Sequence, residues 1–297
     1  MALDHFISYL SLEKNYSGHT INAYKKDIAT FAKFCGVHYG SEAIEEVPYG
    51  LIRSWIVSLS ESGNSNRTIN RKMASLRAYY RFLLKTETIA LNPMAKHKAL
   101  KTSKKVEVPF SEMEMEKVLN TISYGDDFEG ARDRLIITLL YTTGMRRAEL
   151  IGLKIGDIDL ATKTVKVLGK RNKERILPLL PETLALYTTY LEHRKAVVGD
   201  HGEGHVFLSA SGNKIYETLV YRIINRYFTE VSTKVKKSPH IVRHTFATHL
   251  LNKGADLNAV KELLGHASLA STQVYTHSGI AELKRVHQKA HPRNTKT

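Results

Sequence analysis

Six side chains in the second half of this 297-residue chain are of the types that chemistry on a phosphate ester needs. Arg146 comes just after the glycine of TGMRRAEL, with Glu149 three residues further on. Lys170 follows the glycine of VKVLGKRNKERILPL. His240 and Arg243 are one helical turn apart in PHIVRH. His266 directly follows Gly265, nine residues before Tyr275, in LLGHASLASTQVYTH. Arginine forks bind non-bridging phosphate oxygens two at a time and offset the charge that builds on a pentacoordinate phosphorus. A tyrosine, with a pKa of about 10, becomes a nucleophile at neutral pH only beside a base or within a cationic surround. A histidine can take its proton, and a lysine can protonate the departing alkoxide. Arginines stand here where a metal would, so no cofactor is expected.

Each residue also has an ordinary reading. Arg146 caps a helix or pairs with Glu149, Lys170 is a solvated turn lysine, His240 and Arg243 form a polar helix face, and Tyr275 fills a core gap. A metal site has weaker support. His240 and His244 have a zinc-like spacing, but Ile241 stands where a metalloprotease helix needs glutamate, and no carboxylate cluster lies nearby. His201 and His205 in a glycine-rich loop are weaker still. No Walker-type phosphate loop appears, which argues against an ATP-driven enzyme.

The elements that must position these groups fall into two halves. In the first, Ile21, Tyr24, Ile28, Phe31, Phe34 and Cys35 recur at spacings of three and four, the mark of one helix face. A second helix fits 49–59, with Leu51, Ile52, Trp55, Ile56 and Leu59 inward. A third follows the GNSN turn and runs to about Lys85. On it Ile69, Met73, Leu76, Tyr80 and Leu83 share one side, and Arg67, Arg71, Arg77 and Arg81 share the opposite one. Four arginines with little acid to neutralise them suggest a surface that tracks DNA phosphates, the alternative being a solvated charged face. Residues 95–108, lysine-rich and without periodicity, read as a basic linker between a domain at 1–94 and another at 109–297.

The second half restarts at Pro109. Ser111 and Glu114 have capping-box spacing. ARDRLIITLLYTTG reads as a buried helix capped by Gly144. The alternation from Asp157 to Leu179 reads as a short antiparallel sheet with a basic hairpin. Helix resumes past Pro181, apart from a Gly/His-rich loop around 199–214. A formal net charge of +15 points to a polyanion, most often nucleic acid. The single cysteine, Cys35, leaves no internal disulfide and no cysteine-cluster zinc site. It reads as a small buried hydrophobe in a reducing compartment. No signal peptide and no membrane-length apolar run is present, so a cytoplasmic location and no membrane partner are expected.

TGMRRAEL, VKVLGKRNKERILPL, HIVRHTFATHLL and LLGHASLASTQVYTH resemble, in order, the signature boxes of the tyrosine recombinase (phage integrase) family. The likeness spans about 140 residues, and the first half resembles the family's helical core-binding domain. The resemblance implies a mainly α, two-domain fold. A SAM-like N-terminal DNA-binding domain precedes an α+β catalytic domain with a small antiparallel sheet. It makes Arg146 and Arg243 the phosphate-clamping pair and Lys170 the general acid. His240 becomes a base or hydrogen-bond partner, and His266 a contact to a non-bridging oxygen. Tyr275 becomes the nucleophile, leaving a 3′-phosphotyrosine and a free 5′-hydroxyl. Glu149 supports the site from behind.

FISYLSLEKNYSGHTINAYKKDI and HQKAHPRN further resemble the opening and closing segments of the Xer subgroup. That implies a duplex DNA partner carrying a dif-like site and a second Xer recombinase in a heterotetramer. It also implies an FtsK-type translocase as activator and resolution of chromosome dimers as the outcome. The two halves are expected to close around duplex DNA as a clamp, and a terminal helix after Tyr275 to dock on a neighbouring protomer. Three alternatives stay open: a mobile-element integrase, a non-catalytic DNA-binding protein on the same fold, and a type IB topoisomerase or resolvase.

Overall fold

The computed structural model describes residues 2–103, 107–169, 173–198, 204–265 and 277–294, with 277–282 as backbone only. Two compact units divide the chain, Met1–Lys105 and Val106–Thr297.

The first unit is helical. A short helix α1, Ala2–Ser8, leads through a wider π turn to α2, Gly18–Tyr39. Then come α3, Tyr49–Glu61, and α4, Asn66–Lys85. The serines that precede α2 and α4 cap them: Ser17 accepts from the Thr20 N–H and Ser65 from the Thr68 N–H. The expected apolar stripes face one core, in which Phe6, Ile28, Phe31, Trp55, Leu76, Tyr79 and Tyr80 are buried. The stretch after Pro93 is bound to this unit through Lys101. Asn70 exchanges two hydrogen bonds with Leu100, Asn66 donates to the Lys101 carbonyl, and the Tyr49 hydroxyl meets His97 Nδ1 at 3.0 Å.

The second unit begins with α5, Glu112–Glu116, on the reciprocal capping box of Ser111 and Glu114. Helix α6, Phe128–Thr143, is its centre, with buried residues on every side. A helix buried on every side must be covered all round, and α6 packs against α8 (Pro181–Val198), α9 (Glu217–Val231) and α10 (Pro239–Asn252). Between α6 and α8 lie the short α7, Arg147–Gly152, and three strands. These are β1 (Ile158–Asp159), β2 (Thr164–Leu168) and β3 (Glu174–Pro178), antiparallel in that order. Val165 faces Leu177 and Val167 faces Arg175. The inward parity of β3 therefore carries Arg175 as well as Leu177, and both are buried.

Helix α11, Leu257–Leu264, starts on the Asp256 carboxylate, which accepts from the Asn258 and Ala259 N–H groups. It ends at Gly265 in the left-handed region, φ 62°. The last helix, α12 (His277–Ala290), packs on α10, α11 and β3 of its own chain. Leu283, His287 and His291 are buried, and His287 Nε2 lies 2.6 Å from the Thr142 carbonyl. Among the described residues no helix is long and apolar enough to cross a membrane.

Candidate active site

The site is built where four chain segments meet. Gly144 ends α6 with φ 62°, and a Cβ there would come 2.3 Å from the Phe246 ring of α10. Glycine is thus required both by conformation and by space. The chain turns through buried Met145 into Arg146, the residue that opens α7. Glu149, in the first turn of α7, accepts the Arg146 backbone N–H at 2.7 Å and Arg146 Nη1 at 2.8 Å. The other Arg146 terminal nitrogen, Nη2, donates to the Gly265 carbonyl at 3.1 Å.

Arg243 arrives from α10, which starts at Pro239 behind the Ser238 cap. It is buried and donates to the Gly144 carbonyl at 2.5 Å and to the Leu264 carbonyl at 2.6 Å. Burial, followed by the charges of Arg146 and Arg175, lowers its pKa to about 10, so it remains a cation at neutral pH. The two arginines expected to act together are thus held on adjacent carbonyls at the C-terminal end of α11. A helix C-terminus carries negative partial charge, so two cations can gather there before any phosphate arrives.

A third arginine, not among the residues singled out from sequence, completes the arrangement. Arg175 forms a two-pronged ion pair with Glu149, Nη1 to Oε1 at 2.7 Å and Nη2 to Oε2 at 2.8 Å. Its Nε donates to the Leu263 carbonyl at 3.0 Å. Three consecutive carbonyls, 263 to 265, are therefore each held by a different arginine. Burial resists ionisation of Glu149, but the hydrogen bonds and charge of Arg175 and the Arg146 donors outweigh it and hold the carboxyl below its ordinary value. The signal for Arg175 was its position in the strand, two residues before Leu177 on the inward parity.

His240 is placed differently. It is exposed on the first turn of α10, and its Nε2 lies 3.3 Å from the Glu107 carboxylate, which also pairs with Lys236. No hydrogen bond links it to Arg146 or Arg243 among the described residues. Lys170, His266, Tyr275 and His201 lie outside the described residues. The chain nonetheless brings the neighbours of two of them, Gly169 and Gly265, to this site. His244 is exposed, and among the described residues no three His, Cys, Asp or Glu side chains gather as a metal site would.

In the first unit the α4 arginines divide. Arg71 is engaged by buried Asp27, Nη1 to Oδ2 at 2.6 Å and Nη2 to Oδ1 at 3.1 Å, so the arginine face does have an acid behind it. Arg77 donates to the His97 carbonyl. Arg67 and Arg81 are exposed and carry no ion pair or hydrogen bond among the described residues.

Residues 109–282 match the phage integrase family, and residues 3–87 match its N-terminal SAM-like domain. The tyrosine recombinase XerC of Bacillus pumilus is 40% identical, covering 97% of this chain and 95% of that protein. The XerC of Chlorobaculum parvum is 36% identical, covering 98% and 94%. The crystal structure of XerH site-specific recombinase bound to palindromic difH substrate, a post-cleavage complex, aligns with a TM-score of 0.72 at 24% identity. It covers 92% of this chain and 80% of that one. The Tn1549 transposon integrase with circular intermediate DNA aligns at 0.68 and 20%, covering 95% and 98%. These two structures speak for the fold.

Proposed function

This chain belongs to the phage integrase family, the tyrosine recombinases, and from that premise we propose how its residues divide the work of cutting and rejoining duplex DNA at a specific site. Arg146 and Arg243 exchange the Gly265 and Leu264 carbonyls for the non-bridging oxygens of one scissile phosphate. Tyr275 attacks the phosphorus, with His240 or a water accepting its proton. A bond forms between the tyrosine oxygen and phosphorus as the bond to the 5′-oxygen breaks. Lys170 protonates that 5′-oxygen, and His266 donates to a non-bridging oxygen. The 3′-phosphotyrosine is then attacked by the 5′-hydroxyl of a partner strand, which restores a phosphodiester. One phosphoester replaces another at each step, so no external energy source is needed.

The observation that carries this reading is the meeting of Arg146 and Arg243, distant in sequence, on the adjacent Gly265 and Leu264 carbonyls that precede His266. A DNA-binding protein without catalysis has no need of two cations focused on one point. The XerC name of these relatives supports the rest of the proposal. On that reading the target is a dif-like site and the outcome is resolution of chromosome dimers. A second Xer recombinase then shares the tetramer, and an FtsK-type translocase triggers it. Residues 1–94 serve as the core-binding domain, 95–108 as the basic link and 109–297 as the catalytic domain. Arg67, Arg71, Arg77 and Arg81 face the DNA backbone, with Arg67 and Arg81 the freest to do so.

A plasmid with two directly repeated dif-like sites, incubated with this protein and its companion, tests the function. Two smaller circles are expected, and none with Tyr275→Phe. Relaxed circles without resolution would favour the topoisomerase alternative.

A further inference from the structure

Nothing in the reaction above calls on Arg175. The side chain is buried and cannot reach DNA. Each of its three nitrogens donates once, Nη1 and Nη2 to Glu149 and Nε to the Leu263 carbonyl. Glu149 takes four donors in turn, two from Arg175 and two from Arg146, which uses the acceptor sites of both its oxygens. A fork-to-fork pair of this kind fixes the plane of the carboxylate as well as its charge.

What lies against the pair is informative. A Cβ on Gly169 would stand 3.7 Å from both Arg175 Nη1 and Glu149 Oε1. A Cβ on Gly265 would stand 3.2 Å from Arg175 Cδ and 3.3 Å from its Nε and Nη1. The pair is therefore flanked by the residues that directly precede Lys170 and His266, and it holds Arg146 from below. Three segments far apart in sequence meet at one buried contact.

We propose that Arg175 is a positioning residue for strand cleavage: through its two-pronged hold on Glu149 it orients Arg146. This rests on the reading of Arg146 as part of the active site. An apolar pair would fill the same space but would release Arg146 Nη1, leaving only Nη2 held, by the Gly265 carbonyl. Lysine at 175 keeps the charge but loses two of the three directed bonds.

The test uses the full-length chain, a nicked duplex carrying the dif-like site, and buffer with EDTA. Binding is read by gel shift, and cleavage by the single-turnover rate of SDS-resistant adduct formation. Arg175→Lys is expected to bind within about twofold of the parent and to cleave about 100-fold more slowly, the size of loss seen when one directed electrostatic contact fails. Because Arg175 acts through Arg146, the Arg146→Lys/Arg175→Lys double variant should be no more than about threefold slower than Arg146→Lys alone. A merely structural role would weaken binding together with cleavage and would give independent losses.

Cleavage by Arg175→Lys at the parental rate, or losses that multiply, would overturn the inference. Should Arg175→Lys fail to fold, Glu149→Met/Arg175→Met removes both charges and keeps the volume. It is expected to bind DNA and cleave slowly, and parental cleavage by it would be equally fatal. If Arg146→Lys itself cleaves like the parent, the site assignment fails instead.

Discussion

Among single residues, what matters is which charges are held and which are free. Glu149 is the hub, so its loss should be costly. Glu149→Ala leaves Arg146, Arg175 and Arg243 without their counter-ion, and breaking a buried pair in this way costs about 3–5 kcal/mol. Urea unfolding should show that loss at neutral pH. The sign with pH follows from the lowered pKa: the Glu149 contribution is complete above the unfolded carboxyl's value and is lost as pH falls through the folded one. In the first unit, Arg67→Ala and Arg81→Ala should each reduce the salt dependence of DNA affinity by about one unit of log–log slope, with stability unchanged. Asp27→Ala should instead destabilise that unit, because Asp27 is buried beneath Arg71, Lys72 and Ser75. Arg146, Glu149 and Arg243 were legible in sequence because each sits at a helix start or one turn beyond it, where spacing has a physical meaning. Arg175 was not. A lone arginine in a basic hairpin reads as solvated, and only its shared parity with Leu177 marks it as inward. His240 was legible as a helix-start residue, while its pairing with Glu107 joins residues whose contact no local pattern reveals.

At the element scale the site depends on two glycine stops. Gly144→Ala would place a left-handed alanine against the Phe246 ring, so both α6 and α10 would have to move. The left-handed conformation alone costs about 1–2 kcal/mol, and the clash adds to it. A fall in the thermal midpoint with loss of cleavage is the expected outcome. Helix α12 contributes a second, pH-dependent effect. Burial, first of all, lowers the pKa of His287 to about 4 and of His291 to about 3, where the folded chain accommodates them neutral. The unfolded chain takes up protons near pH 6.5. Stability is therefore level above about pH 6.5 and falls by up to about 1.4 kcal/mol per pH unit per histidine as pH drops towards 4. Urea midpoints at pH 7 and pH 5 should differ accordingly, and less so in His287→Gln. The longer helices were legible from caps and periodicity. Even α6, which has no apolar stripe, was bracketed by its glycine stop. The cis seat of α12 was not, because its buried histidines read as polar in sequence.

At the scale of the whole molecule two units with separate cores carry a net charge of +15. If both grip the duplex, deleting residues 1–100 should weaken site binding by at least about 100-fold while the second unit stays folded. Unchanged affinity would sink the clamp. Truncation after Gly279 removes Leu283, His287 and His291 from the second core, so it should lower stability as well as assembly. On the proposed reading a single tyrosine, Tyr275, attacks a phosphate held by Arg146 and Arg243. The chain has 15 tyrosines, and several, such as Tyr190 and Tyr227, are buried with pKa values pushed up to about 12, which suits them to packing and not to attack. The decisive measurement is to trap the adduct on a nicked dif-like duplex in EDTA, digest it and map the DNA-bearing peptide by mass spectrometry. A phosphotyrosine at Tyr275 is expected, absent from Tyr275→Phe and from Arg243→Ala. An adduct on any other tyrosine, or one that persists in Tyr275→Phe, would contradict it.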